Sequence, residues 1–214
     1  MLCLVTIVTD KLLPIRNEIL HHRQRMCDSC GMRCVSWDGN ATRSAPWMKI
    51  EAMRSVQDEC DRILWMDADA TPVHFVYPVA HPASDLIFAR DENGLNSGIV
   101  LVQTSSWTRR ALAAVWDRVE FLHHPWWEQE AIRRCIHEDK VGTWWEKVRL
   151  SRDFERHIRH ISGCMSTRPA SKCRRRILRD VRKAGKGACR RVNVTTHPVD
   201  SLSVMPKHAK HLFH

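Results

Sequence analysis

The chain has 214 residues, of which 43% are hydrophobic and 27% are charged, and its formal net charge is +10. This composition is typical of a globular domain and argues against wholesale disorder and fibrous repeats. The longest apolar run, residues 1–8, contains Thr6 and stops before Asp10. It is far shorter than the roughly 20 residues that a membrane-spanning helix needs. We therefore expect one α/β core with at most a small appendage and no transmembrane helix.

Strands and helices alternate along the first two thirds of the chain. Residues 2–9 are almost all apolar or β-branched, a pattern that predicts a strand buried on both faces of a parallel sheet. The further predicted strands are 33–37, 63–66, 85–89, 97–103, 148–150 and 159–162. The predicted helices are 15–26, 44–58, 107–122 and 128–137. Such alternation indicates a layered α/β fold with a mostly parallel sheet between helices.

The excess positive charge lies in one C-terminal segment. Residues 165–191 contain eleven lysines and arginines against one acid, Asp180, whereas the rest of the chain has 23 basic and 23 acidic residues. Ile177, Leu178 and Val181 recur there at helical spacing, which predicts an amphipathic basic helix. It is either a solvated helix docked on the domain, a surface that attracts anionic membrane or nucleic acid, or a cationic lip over a bound diphosphate.

The nine cysteines have no regular spacing. An odd number at irregular intervals favours free thiols in a reducing compartment, which predicts a cytoplasmic protein. One cluster, Cys27, Cys30 and Cys34 with His21 and His22 just upstream, offers the ligand types of a structural zinc site. The alternative is that these cysteines are small buried hydrophobic residues.

Two glycosylation sequons bear on the same question of compartment. They are Asn40-Ala41-Thr42 and Asn193-Val194-Thr195, and they matter only if the chain enters the secretory route. No basic region precedes the apolar residues 1–8 and no small-residue cleavage site follows them, so this run is interpreted as a strand and not as a signal peptide.

Two carboxylates directly follow a predicted buried strand, in Trp65-Met66-Asp67-Ala68-Asp69. Open α/β sheets bind ligands in the crevice beyond the carboxyl ends of their strands. Carboxylate oxygens at that position can hold a divalent cation, which in turn holds phosphate. The alternative is an N-cap Asp beside a solvated Asp.

Several separated motifs together resemble the GT-A glycosyltransferases of the galactosyl/xylosyl/mannosyltransferase family (glycosyltransferase family 34), which includes yeast mannan and plant xyloglucan enzymes. The motifs lie at 47–50, 63–70, 95–98, 107, 116, 128–131 and 160–164. The resemblance implies a GT-A fold over residues 1–164, with 165–214 as a basic extension packed on the same domain. It also implies transfer of a sugar from a nucleotide diphosphate to a hydroxyl of a glycan or glycoprotein, with retention of configuration.

The resemblance also implies site residues. Asp67, Asp69 and His160 inherit the role of ligands to Mn²⁺ or Mg²⁺, with His197 as the reserve for the third position. Two carboxylates and one imidazole suit Mn²⁺ well. The nucleotide-sugar contacts implied are Thr9, Asp10, Lys49, Asp67 and Gly98.

The implied catalytic residues are Asn96, Glu128 and Gln129. The Asn96 amide is expected to bind hydroxyls of the donor sugar, whereas the Glu128–Gln129 pair lies beside the anomeric carbon on the acceptor side. Trp127 replaces one acid of the family's longer acidic pattern, so Glu128 is the only carboxylate next to Gln129. A nearby carboxylate stabilises an oxocarbenium-like transition state. The doublets at 126–127 and 144–145 are candidates for stacking on sugar rings.

Two other classes of protein remain as alternatives. The basic segment fits a nucleic-acid- or membrane-binding protein, although charge confined to 27 residues argues against a nucleic-acid partner. The other alternative is a noncatalytic sugar-binding module that keeps the fold. Without a membrane anchor, the chain fits either a cytoplasmic enzyme of microbial or viral origin or a catalytic domain cut from a longer chain. Peripheral membrane contact is expected through the basic segment.

Overall fold

The computed structural model describes residues 1–39, 42–80, 84–138, 143–161, 169–184 and 188–199, without the side chains of Asp10, Thr143 and Trp145. Its strands are β1 (Leu2–Thr6), β2 (Arg33–Ser36), β3 (Arg62–Met66), β4 (Ala70–Pro72), β5 (Val76–Val79), β6 (Leu86–Asp91), β7 (Gly94–Gln103), β8 (Val148–Ser151), β9 (Ile158–His160), β10 (Arg190–Asn193) and β11 (His197–Pro198). Its helices are α1 (Arg16–Cys30), α2 (Ala45–Ser55), α3 (Ser106–Trp116), α4 (Trp127–Glu138), α5 (Thr143–Lys147), α6 (Asp153–His157) and α7 (Ala170–Lys183). Short 3-10 turns span Asp10–Ile15 and Val119–Phe121.

The central sheet has the strand order β11-β8-β6-β7-β3-β1-β2. β1 is parallel to β2 and β3, and β6 is parallel to β8, whereas β7 and β11 run antiparallel to their neighbours. Five of the seven strands therefore point the same way. This confirms the predicted α/β class with a mixed, mostly parallel sheet. Two small sheets, β4 with β9 and β5 with β10, lie outside it.

The sheet is covered on both faces. Helices α2, α3 and α4 pack on one face through a cluster that includes Trp47, Ile50, Leu112, Val115 and Ile132. On the other face α1, β5 and α6 contribute Met26, Val76 and Phe154 to a second cluster. Because both faces are buried, β1 and β3 have no polar alternation, which is why their sequences are continuous apolar runs.

The predicted helix over 107–122 is too long. Helix α3 ends at Trp116, where the Asp117 N–H is shared between the carbonyls of Ala113 and Val115. A capping box at its start, formed by Ser105 and Thr108, gives the helix a sharp beginning that sequence inspection did not identify. The predicted helix over 128–137 is confirmed as α4.

The basic helix α7 packs on the domain through its apolar side. Cys173 and Ile177 are buried against Val8, Leu12 and Ile15. Asp180, only 2% exposed, accepts a hydrogen bond from Arg159 at 2.8 Å. The helix therefore has a buried face. Lys172, Arg175, Arg179, Arg182 and Lys183 are exposed, whereas Arg174 is half-buried and donates to the Lys11 carbonyl at 3.3 Å. The division of the chain at residue 164 remains a prediction.

The expectation of free thiols was wrong. Disulfides join Cys3 to Cys60, Cys27 to Cys34, and Cys30 to Cys189, and Cys173 is disulfide-bonded as well. Of the cysteines within the described ranges, only Cys135 is free. The zinc alternative at residues 27–34 was wrong for the same reason, because a disulfide sulfur has no thiolate to offer a metal. Spacing could not show the Cys3–Cys60 and Cys30–Cys189 pairs, since they join segments that meet only after folding.

Across the described part of the chain, no helix combines the length and apolar character needed to span a membrane.

Candidate active site

A cavity of about 320 Å³ opens at the carboxyl ends of β1 and β3. We call it the carboxylate pocket. It brings together most of the predicted site residues: Thr9, Lys49, Asp67, Asp69, Asn96, Gly98, Glu128, Gln129 and His160. The side chain of Asp10, the remaining predicted contact, lies outside the described part of the structure. The carboxyl ends of the strands, where this pocket lies, are the position at which open α/β sheets bind ligands.

The Asp67–Asp69 turn is built by backbone hydrogen bonds at the end of β3. The Asp67 N–H donates to the Gly98 carbonyl at 2.8 Å, and the Ala70 N–H donates to the Asp67 carbonyl at 2.9 Å. Strand β4 then pairs antiparallel with β9, with Ala70 opposite His160. This pairing returns the chain to the turn after some 90 residues and explains how a distant histidine reaches the two carboxylates.

Asp67, Asp69 and His160 form a three-residue group whose ligand atoms all lie within 4.8 Å of one another. The His160 Nε2 lies 3.4 Å from Asp69 Oδ1 and 3.9 Å from Asp67 Oδ2. Burial lowers the pKa of His160, but the hydrogen bond to Asp69 and the charges of Asp69 and Asp67 outweigh it, so the net shift is upward. Two carboxylates and an imidazole converging on one point are a donor set that fits a divalent cation such as Mn²⁺. The last three residues of the predicted segment 160–164 lie outside the described ranges.

Gly98 makes room for the histidine. A Cβ added to Gly98 would overlap the His160 ring. The family resemblance implied that Gly98 contacts the nucleotide sugar. The structure adds that its open side is filled by His160, so the glycine in β7 and the histidine in β9 constrain each other.

Lys49 lies at the centre of the pocket's charges. Its Nζ is 3.1 Å from Asp67 Oδ1 and 2.9 Å from Glu128 Oε1, and it donates to the Ser97 carbonyl at 3.1 Å. Burial opposes the charge on this ammonium, but the two carboxylates outweigh it and raise the pKa of Lys49. Trp65 Nε1 also donates to Asp67 Oδ1, at 2.7 Å. Trp65 thus holds Oδ1, Lys49 contacts both oxygens, with Oδ2 at 3.4 Å, and Oδ2 is the oxygen nearer His160.

Glu128 is only 3% exposed and is held in place by two donors. Its Oε1 accepts from Lys49 and, at 2.8 Å, from the Ser97 hydroxyl. Burial raises the pKa of Glu128, and the Lys49 charge opposes that rise. Gln129 Oε1 accepts from the Ser97 N–H at 3.0 Å. Ser97 therefore fixes both α4 residues, a role that sequence reasoning missed although Ser97 lies inside the quoted motif 95–98.

Asn96 joins the β6–β7 hairpin to the pocket wall. Its Nδ2 donates to Asp91 Oδ2 at 2.7 Å, and its Oδ1 accepts from the Gly98 N–H at 2.8 Å. Both ends of the amide are therefore engaged within the protein. The geometry assigns Asn96 a part in holding the loop that contains Gly98, in addition to lining the cavity.

Arg23 supports the turn from below and was missed by the sequence analysis. This α1 residue is 2% exposed, and its guanidinium donates to the Asp67 carbonyl at 3.2 Å and to the Ala70 carbonyl. Burial lowers the pKa of Arg23, and the charges of Asp69 and Asp67 oppose that shift. A signal was present, because Arg23 occupies a buried position between Ile19 and Met26 on one face of α1.

The two tryptophan doublets differ. Trp126 and Trp127 line the pocket. Trp127 has φ of 40°, the only positive φ outside glycine in the described ranges, at the point where α4 begins. Trp144 instead packs edge-on against Trp107, with ring centroids 5.1 Å apart, in the core. Trp126 and Trp127 thus remain candidates for stacking on sugar rings. Trp144 has a packing role, and the side chain of Trp145 lies outside the described part of the structure.

His197, the reserve ligand, is not part of the metal group. It lies exposed in β11, opposite Leu150 at the far edge of the sheet from β1. Its distance from the turn leaves His160 as the histidine that meets Asp67 and Asp69 in the described structure.

A second concave surface, which we call the basic groove, lies on α7. It is lined by Ile161, Pro169, Lys172, Cys173, Arg175, Arg176 and Arg179. No described residue of α7 lines the carboxylate pocket. Ile161, directly after His160, links the two regions. In the described structure the two regions share no lining residue and adjoin at the consecutive residues His160 and Ile161.

Solved structures share this fold. One is a glycosyltransferase involved in the glycosylation of the major capsid of PBCV-1, with a TM-score of 0.62 and 9% identity over 83% of this chain and 98% of that one. Another is the catalytic domain of Drosophila beta1,4-galactosyltransferase 7 in complex with xylobiose, with a TM-score of 0.50 and 14% identity over 88% and 82% of the two chains. By sequence, no family and no curated protein matches the chain. At such low identity the likeness shows the fold, which is GT-A.

Proposed function

We propose that the chain is a metal-dependent glycosyltransferase that moves a sugar from a nucleotide-diphosphate donor to a hydroxyl of a glycan or glycoprotein. The observation that supports this most strongly is the convergence of Asp67, Asp69 and His160 inside one cavity of a GT-A fold. The two glycosyltransferases of the same fold support sugar transfer as the chemistry. The pocket residues, and not the fold alone, make the case for catalysis.

Asp67, Asp69 and His160 would hold Mn²⁺ or Mg²⁺. Such a cation, when bound, neutralises charge on a departing diphosphate and so makes it a better leaving group. Trp65 fixes one oxygen of Asp67 and Lys49 contacts both, which orients the carboxylate with its Oδ2 on the side of His160. Arg23 holds the backbone of the same turn. These contacts pre-position the ligands, and such supporting contacts typically change metal affinity 10- to 100-fold.

Glu128 acts through its charge and position. Because its Oε1 already accepts from Lys49 and Ser97, and its side chain is buried, we assign it to electrostatic stabilisation of the sugar's developing positive charge. Gln129, Asn96, Thr9 and the Trp126–Trp127 doublet complete the wall against which donor and acceptor sugars would lie. Asp10 remains a predicted nucleotide-sugar contact.

Membership of the galactosyl/xylosyl/mannosyltransferase family is part of the proposal and depends on the sequence motifs. Retention of configuration follows from that family. It predicts that the product keeps the donor's anomeric configuration, which proton NMR of the product's anomeric signal measures directly.

The partners follow from the same proposal. We expect a nucleotide-diphosphate sugar as donor, a glycan or glycoprotein as acceptor, and no nucleic acid. The exposed arginines suggest one additional partner, an anionic membrane surface that the basic groove would contact peripherally.

The test is a panel of nucleotide-diphosphate sugars added to the full chain with Mn²⁺, with Mg²⁺ or with EDTA. A ligand at 100 times its dissociation constant stabilises the native state by about 2.7 kcal/mol, so the matching donor raises the melting temperature only when metal is present. The matching donor should also be hydrolysed slowly. Binding without any hydrolysis or transfer would identify a noncatalytic sugar-binding module, and no binding to any donor would overturn the proposal.

A further inference from the structure

Two of the disulfides join segments of the fold that are far apart in the sequence. Cys3–Cys60 joins β1 to the turn after α2, across 57 residues, and Cys30–Cys189 joins the end of α1 to the residue before β10, across 159 residues. Their Cα atoms are 5.9 and 5.0 Å apart, within the range that a disulfide requires. Cys3 and Cys60 are buried in the main core. These are structural crosslinks between distant segments.

Such crosslinks indicate an oxidising environment. Forming each bond removes two electrons and two protons from a pair of thiols, and both pass to a disulfide oxidant such as an oxidoreductase. Reducing compartments keep most thiols free, whereas the lumen of the secretory route supplies that oxidant. Seven of the eight described cysteines are bonded, which no reducing compartment ordinarily allows. These bonds argue against the expectation of a cytoplasmic protein, and in the secretory route the two sequons become possible sites of modification.

We propose that the chain folds in an oxidising secretory compartment and receives an N-linked glycan on Asn193. The acceptor triplet is Asn193-Val194-Thr195. In the transfer, the Asn193 Nδ2 forms a bond to the sugar's anomeric carbon and loses a proton. The bond from that carbon to a lipid diphosphate breaks, and the lipid diphosphate leaves.

The geometry around Asn193 leaves room for a glycan. Strand β10 pairs with β5 on one side, with Asn193 opposite Val79. Val192 and Val194 pack into the core cluster beneath, so the alternation of a strand turns Asn193 outward, where it is exposed. The Thr195 backbone N–H donates to Asp153 Oδ2 at 2.7 Å, which ties the end of the triplet to α6.

The same segment connects the modification to the disulfides. Cys189 is the residue before β10, so its bond to Cys30 anchors the strand that contains Asn193. No residue of β10 lines the carboxylate pocket as described. A glycan on Asn193 would therefore extend from the surface without entering the pocket, and the proposal stands independently of the proposed enzymatic activity.

The test expresses the full chain behind a cleavable secretion signal in a eukaryotic cell. We expect a mass loss on peptide-N-glycosidase treatment that Asn193→Gln abolishes in part or in full, depending on whether Asn40 is also modified. Asn40→Gln separates the two sites. Thr195→Ser keeps the sequon and should keep the glycan, whereas Thr195→Val should lose it. Secreted, folded protein with unmodified Asn193 would overturn the glycan assignment.

The compartment is tested by the cysteines themselves. Peptide mapping without reduction should recover Cys3–Cys60, Cys27–Cys34 and Cys30–Cys189 as linked pairs. Reduction should lower the melting temperature by about 10 °C or more, because closing such long loops restricts the unfolded chain. A native protein whose cysteines all react with an alkylating reagent, with no change in melting temperature, would overturn the oxidising compartment.

Discussion

The carboxylate pocket and the basic groove both concentrate charge, but they hold it differently. In the pocket, the Lys49 side chain is 5% exposed and lies within 3.1 Å of two carboxylates from different elements. In the groove, Lys172, Arg175, Arg176 and Arg179 surround a concave surface with no described acid in its lining. The pocket is therefore a network of paired charges in which carboxylates outnumber the lysine, whereas the groove is an unbalanced cationic surface.

The difference predicts how strongly each region responds to substitution. Removing one partner of a buried charge pair leaves the other charge uncompensated, which costs about 3–5 kcal/mol. Exposed charges in water interact weakly, typically by less than about 1 kcal/mol per pair. Substitutions in the pocket should thus be severe and specific, and those in the groove mild and sensitive to salt.

The largest effect is expected for Asp69→Asn. The change is nearly isosteric and removes one ligand charge without leaving a cavity, so the fold should persist while metal-dependent donor turnover falls at least about 100-fold. Turnover is measured as released nucleotide at saturating Mn²⁺, and folding by the melting temperature. Asp58→Asn, at an exposed carboxylate paired with Arg109, is the matched control and should keep full turnover. Equal turnover in the two variants would remove Asp69 from the metal site.

The next effect is on stability, at Lys49. Lys49→Met leaves Asp67 and Glu128 without their shared cation, so the free energy of unfolding should fall by about 3–5 kcal/mol in urea denaturation. Adding Glu128→Gln removes one of the stranded charges and should recover part of that loss. Lys147→Met breaks a more exposed pair with Asp85 and should cost about 1 kcal/mol or less. Losses that simply add in the double variant would show that Lys49 and Glu128 are not coupled.

The sequence predicts those parts of this contrast that are encoded within short segments of the chain. The continuous apolar runs of β1 and β3 and the carboxylates after β3 are local patterns, and they predicted the sheet and the position of Asp67 and Asp69 correctly. The excess of basic residues in α7 was equally local. His160 was found through a motif resemblance, because its approach to the turn depends on the pairing of β4 with β9.

What the sequence could not show arises between segments. The Cys30–Cys189 bond spans 159 residues, and an odd cysteine count with irregular spacing hid it. Arg23 carries a charge in a helix position that is usually apolar, and its partners are backbone carbonyls that have no side-chain signature. Ser97 was overlooked because a serine in a strand has no distinguishing pattern. The disulfide and the contacts of Ser97 are defined only by the folded chain, whereas Arg23 left a local signal, a charge on the buried face of α1, that does not identify its partners.

A smaller effect separates the two candidate histidines. His160→Ala should weaken Mn²⁺ binding about 10- to 100-fold, because it removes one member of the three-residue group. His197→Ala, in the exposed strand β11, should leave the affinity unchanged. Titration of Mn²⁺ by calorimetry measures both. The reverse order would move the third ligand to the C-terminal segment.

Gly98→Ala tests the same histidine without removing it. The added Cβ would overlap the imidazole, so the ring must move away from Asp67 and Asp69. We expect a loss of Mn²⁺ affinity similar to that of His160→Ala. The double variant, Gly98→Ala with His160→Ala, should bind Mn²⁺ no more weakly than either single variant, since both substitutions act on the His160 ring.

The mildest effect is expected in the basic groove. Replacing Arg175, Arg176 and Arg179 with Gln keeps helix propensity and removes three charges, two at exposed positions and one, that of Arg176, at a half-buried position. If α7 is a solvated helix, the Michaelis constant and turnover for the donor should stay within a few-fold of the wild type at every salt concentration. If the groove attracts the diphosphate across the short distance from Ile161 to His160, the Michaelis constant should rise at low salt. The rise should then disappear near 0.5 M salt, because screening shortens the reach of exposed charges to well below the 10 Å typical of 0.1 M.

A matched variant distinguishes the groove from net charge alone. Arg54, Arg110 and Arg152, replaced with Gln, lose the same three charges from exposed positions outside the groove. We expect this control to bind anionic vesicles as the wild type does, and the groove variant to lose vesicle binding while keeping wild-type donor kinetics. That result would assign the groove to membrane attachment and leave the donor to the carboxylate pocket. Equal losses of vesicle binding in both variants would instead show that the net charge of the protein is responsible. Attraction that depends only on net charge falls equally wherever on the surface the three arginines are replaced.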